Sequence, residues 1–391
     1  MNIKIFYIIT SLDYGGTQKN LYYILKNLPK NYKGLKFVPF LVSLKKNGRF
    51  KKKFVELGVK LYDLNLPLMT SLATIFVLPY SIIKFFYLVI KHKPNLIHSF
   101  LFQANFLSRF AKLVLPKTKI ICSERVAEKQ KIWQHILLRL TNWLVDFVTV
   151  NSERLREFVI QSQKVERGKV ILMHNIIDQE EIKITAPAKK IREEIGLTEK
   201  DFVVLSVGRL HKQKGFDLFI EIAKEFCNKI KSSVKNHRFL FVIVGDGEEY
   251  NLLVRYAEEL NVEDYVKFLG YKENVYDYIN ACDVFLLTSY WEGCPNVILE
   301  AISLGKIVVS TKVEGVDEIL KEEFLVNLQQ DRKIVIKDFV EIIYRIYEKT
   351  LLEDYRSINC AKEQIDLSIY NKDKVLRTIL PFYIDKVSYI L

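Results

Sequence analysis

Short runs of β-branched and aromatic residues recur along this chain. Each closes on a polar or glycine-bearing turn, and most lead into apolar residues at helical spacing. Lys4–Thr10 is the first run, and Phe37–Leu44, Val59–Leu64, Asn95–Phe100, Lys119–Cys122, Phe147–Val150 and Val170–Met173 continue the series. It resumes with Asp201–Val207, Phe239–Val244, Val266–Leu269, Val284–Thr288 and Ile307–Val309. Near-continuous apolar runs fit strands covered on both faces of a parallel sheet. Their alternation with helices predicts an α/β architecture. Residues 179–200 are polar and charged, with Pro187 and a Lys189-Lys190 pair, and read as a linker. The expected organisation is a Rossmann-like domain over residues 1–183, a second over 184–365, and a C-terminal helix within 366–391 that crosses back to the first domain.

Leu66–Ile90 is the most apolar stretch. Its length nears the ~20 residues that span a bilayer. Pro79 and Lys84 interrupt it, Lys91-His92-Lys93-Pro94 ends it, and the next run reads as another strand of the same sheet. A helix packed on that sheet is the favoured reading. Phe76, Tyr80, Phe85, Phe86 and Tyr87 would then be available as an aromatic face for a membrane surface.

Charge sharpens the division. Residues 1–183 hold 30 Lys+Arg and 12 Asp+Glu, a balance of +18; the rest hold 59 − 30 = 29 and 46 − 12 = 34, a balance of −5. A basic first half suits nucleic acid, anionic lipid or an anionic substrate. Five cysteines without a Cys-x-x-Cys pair suggest neither a disulfide framework nor a zinc site, and point to a reducing compartment. Lys4 breaks the first apolar run, so no secretory signal is evident.

The candidate chemistry lies where runs end. After Val207 comes Gly208-Arg209, then Lys214-Gly215; a planar guanidinium and an ammonium five residues apart suit one diphosphate. After Thr288 comes Glu292-Gly293-Cys294-Pro295, then a helix from about Asn296 to Leu304 that carries Glu300 and stops at Gly305. The start of a helix leaves backbone N–H groups unpaired and favours an anion. The two carboxylates, eight residues apart, suit hydroxyl pairs of a sugar or a ribose. Gly15-Gly16 opens a helix after the first strand but lacks the spacing of a dinucleotide fingerprint. Gly245-Asp246-Gly247 and Gly270-Tyr271 are further strand-end turns. His98 sits near the end of one strand, as a site residue or a satisfied core histidine, and Ser123-Glu124-Arg125 ends the next.

Taken together, these motifs resemble the retaining glycosyltransferases of family four, which have the GT-B fold. The likeness covers nearly the whole chain and is strongest from Phe202 to Thr311. It implies two Rossmann-like doubly wound domains facing each other across a cleft. It also implies that Arg209 and Lys214 bind the donor diphosphate, that Glu292 holds the donor sugar, and that Glu300 holds the ribose. Backbone groups of Gly208, Gly245, Asp246, Gly293, Cys294, Pro295, Asn296 and Val297 would line the donor site, with Gly15-Gly16 approaching from the other domain and Tyr271 near the nucleobase. Such enzymes use no metal ion and no cofactor beyond the nucleotide-sugar itself. The chain departs from the family where Phe100 and Glu124 stand at places that often carry histidine. Glu124 is kept as a candidate catalytic residue, and Arg125 and His98 as candidate acceptor contacts.

The basic first half and the Leu66–Ile90 segment suggest a membrane-held, lipid-diphosphate-linked glycan acceptor at the inner face of the cell membrane. A donor of the UDP-sugar type, surface-polysaccharide assembly, an anionic membrane surface as partner and no nucleic acid complete the expectation. The competing readings are a non-catalytic scaffold on the same fold and a transferase with a soluble acceptor.

Overall fold

The computed structural model describes residues 2–46, 48–66, 73–126, 131–231, 238–351 and 367–384. The chain divides into two compact units, residues 1–177 with 368–391, and residues 178–367.

The strands of the first unit are β1 (Asn2–Ile9), β2 (Asn31–Tyr32), β3 (Leu35–Ser43), β4 (Lys60–Asp63), β5 (Leu96–Phe100), β6 (Lys119–Ser123), β7 (Phe147–Val150) and β8 (Val170–Leu172). They form one sheet in the order β2-β3-β1-β5-β6-β7-β8, with β4 beside β3. Only β2 runs antiparallel to its neighbour. The helices are α1 (Gly16–Asn27), α2 (Lys51–Glu56), α3 (Ala73–His92), α4 (Phe102–Arg109), α5 (Ala111–Val114), α6 (Ile132–Leu140) and α7 (Glu153–Gln163). Alternate residues of β1 serve opposite faces, as strand geometry requires. Ile3, Ile5, Tyr7 and Ile9 pack with α1 and α2. Phe6 and Ile8 pack with the buried stripe Phe85, Leu88 and Val89 of α3 and with α4, α5 and α7.

α3 continues past Pro79. The aromatic face expected of it divides: Phe85 is buried and Phe86 partly buried, whereas Tyr80 and Tyr87 are exposed. The side chain of Phe76, like residues 67–72, lies outside the described part. Among the described residues no helix is long and apolar enough to cross a membrane.

The second unit has strands β9 (Phe202–Val207), β10 (Phe239–Val244), β11 (Val266–Phe268), β12 (Val284–Leu287), β13 (Ile307–Thr311) and β14 (Leu325–Val326), and helices α8 (Ala188–Glu194), α9 (Phe216–Lys231), α10 (Tyr250–Glu259), α11 (Val275–Ala281), α12 (Asn296–Ser303) and α13 (Arg332–Leu351). Its sheet is parallel throughout, in the order β11-β10-β9-β12-β13-β14.

The segment read as a linker is part of this unit. Within it α8 forms, and Ile191, Ile195 and Leu197 are buried. Arg192 donates to the carbonyl of Ala281 (2.9 Å) and to Asp283 (2.8 Å). Its polarity belongs to one face of a short helix, which composition alone does not separate from a loop.

The last described helix, α14 (Lys372–Ile384), lies in the first unit; residues 366 and 385–391 are outside the described part. It buries Val375, Leu376, Ile379, Leu380 and Tyr383 against the β1 face. Each such side chain contributes about 1.5–3 kcal/mol of gross apolar burial.

Candidate active site

In a parallel sheet the ligand crevice lies beyond the carboxyl ends of the strands. In the second unit that edge collects five turns. Gly208–Gly215 follows β9, Gly245–Gly247 follows β10, Gly270-Tyr271 follows β11, Thr288–Pro295 follows β12, and Lys312–Gly315 follows β13. The turns are stitched to one another by backbone. Gly208 N–H donates to Val244 (3.0 Å), Leu210 N–H to Asp246 (3.1 Å), and Gly245 N–H to Gly270 (2.9 Å). Tyr290 N–H donates to the Gln213 carbonyl (2.8 Å), and the Gln213 side chain to the Trp291 carbonyl (3.0 Å).

Two glycines permit this closeness. A Cβ on Gly245 would stand 1.8 Å from the Gly208 carbonyl oxygen. Gly315, at φ +73°, passes so close to the peptide after Gly293 that a Cβ would stand 1.6 Å from that oxygen. Gly315 was not singled out from the sequence. Its only signal was a glycine a few residues beyond a strand end.

The stitching brings two expected residues into direct contact. The Lys214 ammonium lies 2.6 Å from one carboxylate oxygen of Glu292, and the Ser289 hydroxyl donates to the same oxygen at 2.7 Å. Glu292 is 6 % exposed, so the pair is largely withdrawn from water. Arg209 is exposed and has no ion-pair partner among the described residues. Glu300 is buried on α12. That helix begins at Asn296 with Pro295 as its N-cap, and Gly305 follows it at φ +72°. Cys294 is buried beside the cap, and Val297 lies in the first turn, where N–H groups have no intrahelical partner. Asp246 caps its own turn by accepting from Gly247 N–H (2.8 Å). Tyr271 is exposed. At one sheet edge, therefore, stand Arg209, Lys214, Glu292, Glu300 and the start of α12.

A second layer fixes this edge from behind. The Tyr290 hydroxyl donates to Asp217 (2.5 Å) and accepts from Arg332 (2.8 Å). Arg332 also reaches Asp217 (2.7 Å) and Glu221 (2.6 Å), so the start of α13 grips α9 and the strand-end loop together. Burial, then the bond to Asp217, pushes the Tyr290 phenol up to about 12. None of these partners was legible as a pair, because 42 residues separate Tyr290 from Arg332.

The first unit presents Gly15-Gly16, Glu124 and Arg125 at the carboxyl edge of its own sheet. Gly15 is the N-cap of α1, and its carbonyl accepts from Lys19 N–H (3.0 Å). Glu124 is buried and accepts from Asn105 (3.0 Å). Arg125 is buried, donates to Asn175 (2.9 Å) and lies over the Phe100 ring.

The acceptor contact expected of His98 is not what the structure shows. The ring is fully buried, and both nitrogens are engaged within the unit, Nδ1 with the Tyr383 hydroxyl (2.6 Å) and Nε2 with Ser123 (2.9 Å). Burial, then nearby Arg125, holds its pKa well below the usual histidine value. It ties α14 to the sheet as a neutral core group. Among the described residues no set of three His, Cys, Asp or Glu is arranged to hold a metal ion.

Residues 187–359 match the family model of the glycosyl transferases group 1. The chain is 28 % identical, over 78 % of its own length and 79 % of the relative's, to UDP-Gal:alpha-D-GlcNAc-diphosphoundecaprenol alpha-1,3-galactosyltransferase of Escherichia coli. It is 25 % identical, over 97 % of its length and 99 % of the relative's, to the Campylobacter jejuni N-acetylgalactosamine-N,N'-diacetylbacillosaminyl-diphospho-undecaprenol 4-alpha-N-acetylgalactosaminyltransferase. Among solved structures, Anabaena HepE in complex with UDP-glucose superimposes with a TM-score of 0.76 at 19 % identity, covering 99 % of this chain and 100 % of that one. That likeness establishes the fold, with its two Rossmann-like units.

Proposed function

We propose that this chain, whose residues 187–359 match the glycosyl transferases group 1 and which has the GT-B fold, moves a sugar from a UDP-sugar to a glycan held on a lipid diphosphate. In this reading the transfer retains anomeric configuration, needs no metal ion, and serves surface-polysaccharide assembly at the inner face of the cell membrane. The observation that carries the reading is the Lys214–Glu292 pair, set at one sheet edge with exposed Arg209 and buried Glu300. Two relatives whose names specify diphosphoundecaprenol substrates support the acceptor class. A neighbour of the same fold with bound UDP-glucose supports the donor class.

Each group has a physical task. The Arg209 fork and the Lys214 point charge meet the donor diphosphate. When Lys214 turns to phosphate, Glu292 keeps its bond from Ser289 and accepts from the donor sugar's hydroxyls. Glu300 accepts from the ribose hydroxyl pair, and the start of α12 offers N–H groups to sugar and phosphate. Tyr271 lies alongside the base. The bond from the anomeric carbon to the diphosphate oxygen breaks while the acceptor hydroxyl bonds to the same face. The acceptor's proton passes to the departing phosphate oxygen. Charge builds on that oxygen, where Arg209 and the reoriented Lys214 would stabilise it.

The test is donor binding by thermal shift with UDP-, GDP- and ADP-sugars in chelator. Stabilisation by UDP-sugars alone, lost in Arg209→Ala with Lys214→Ala, is expected. No shift with any donor, with or without a short lipid-diphosphate sugar and Mg²⁺, overturns the reading. Product anomeric configuration by NMR decides retention.

A further inference from the structure

The exposed apolar residues of the first unit are grouped by helix. On α6, Ile132, Ile136 and Leu140 recur at helical spacing and are 80 %, 52 % and 65 % exposed. Trp133 beside them is 51 % exposed, and Trp143 just beyond the helix 71 %. A helix packed on a domain ordinarily turns this stripe inward. Here only Leu138 of α6 is buried. The outward stripe of α3 has the same character: Tyr80, Ile83, Tyr87 and Ile90 are each more than half exposed. α5 packs against α3 and α4, and α4 against α6, so the two striped helices are linked through α5 and α4. Clustered exposed apolar residues of this kind mark an interaction site.

Charge selects the occupant. Residues 64–123 contain no Asp or Glu. Lys131 and Arg139, both exposed, flank the α6 stripe, and Lys91 lies over the Tyr87 ring at 5.3 Å. Apolar residues edged by tryptophan, tyrosine and lysine suit the boundary between acyl chains and anionic headgroups. A second copy of the chain would bring the same cations together. We propose that α6 with Trp143, together with the outward stripe of α3, docks this protein on an anionic lipid bilayer. The proposal deepens the reading above, from which it takes the membrane-held acceptor. The helices lie in the interface rather than across it, with the nearby cations drawn to the anionic headgroups.

The experiment uses the whole chain with vesicles of phosphatidylcholine, with and without phosphatidylglycerol. Sedimentation with the anionic vesicles is expected, with a blue shift of tryptophan emission and quenching by brominated acyl chains. The combined variant Ile136→Ser, Leu140→Ser and Trp143→Ser should lower partitioning at least about 10-fold, while melting temperature and UDP-sugar binding stay unchanged. Wild-type protein that stays in solution at low salt overturns the proposal, as does a variant that still sediments fully. A wild-type dimer without vesicle affinity, made monomeric by the same variant, assigns the surface to a second copy instead. Vesicle binding without donor binding would leave the docking surface intact and remove the transferase reading.

Discussion

Replacing Gly315 with alanine should disable the donor edge without removing any side chain that would bind the donor. The new Cβ would lie 1.6 Å from the Gly293 oxygen, 2.6 Å from its carbon and 3.3 Å from Cys294 nitrogen. Ordinary carbon contacts begin near 3.5 Å, so one backbone must retreat by about 2 Å. The positive φ adds about 1 kcal/mol for a residue with a side chain. Relief of the overlap adds about 1–3 kcal/mol more. At about 2–4 °C per kcal/mol for a unit of this size, its melting temperature should fall by roughly 5–15 °C. The retreating peptide joins Glu292 to the start of α12, and a 1 Å misplacement of such groups lowers activity by about 100-fold. Gly305→Ala is the control. Its φ is +72°, yet no atom lies within 4 Å of its Cβ, so it isolates backbone strain from overlap. Calorimetry and UDP-sugar titration on both variants give the answer. If Gly315→Ala melts and binds like Gly305→Ala, the close approach is not what shapes the donor edge, and the reasoning fails.

Other outcomes follow from the same geometry. Glu292→Gln keeps the bond from Ser289 but releases Lys214, and is expected to lower turnover more than donor affinity; equal losses in kcat/KM and affinity with kcat intact would count against that division. Lys214→Ala should weaken donor binding by about 10- to 100-fold, read by titration calorimetry. Arg332→Ala loosens Tyr290 and should cost the second unit about 1 kcal/mol, because the network is partly solvated; Arg332→Lys should recover little, lacking the fork that reaches Asp217, Glu221 and Tyr290 at once. His98 is neutral in the fold, with a pKa below its unfolded value of about 6.5. Its contribution is therefore complete above that pH and is lost as pH falls below it. Denaturant unfolding of the first unit between pH 7 and 5 should show a shallower decline in His98→Gln than in wild type, whatever the offset; parallel declines would refute it.

The strands were legible because β-branched runs such as Phe239–Val244 are buried on both faces, and their ends predicted which loops meet at each sheet edge. The Lys214–Glu292 contact was not legible, since a separation of 78 residues carries no information about which side chains touch. His98 illustrates a different limit. A strand end is both a ligand edge and the top of a core, and only the position of Tyr383 decides between them. α8 was hidden because three buried apolar residues among charges look like a linker. The α6 stripe was visible as sequence, yet periodicity alone assigns such a stripe to the core.

The bond from His98 to Tyr383 joins residues 285 apart. Everything needed for the second unit is translated between the first sheet and the helix that covers it. A ribosome thus delivers residues 178–367 as an uninterrupted folding unit while the first sheet still waits with its β1 face partly bare. Completion of the first core comes last, by a helix arriving from far along the chain, and such long-range closure is slow relative to local folding. The nascent protein must keep that open apolar surface from other chains until α14 docks. Demand on chaperones during synthesis is thus set by where one helix is encoded, rather than by how stable the finished protein is.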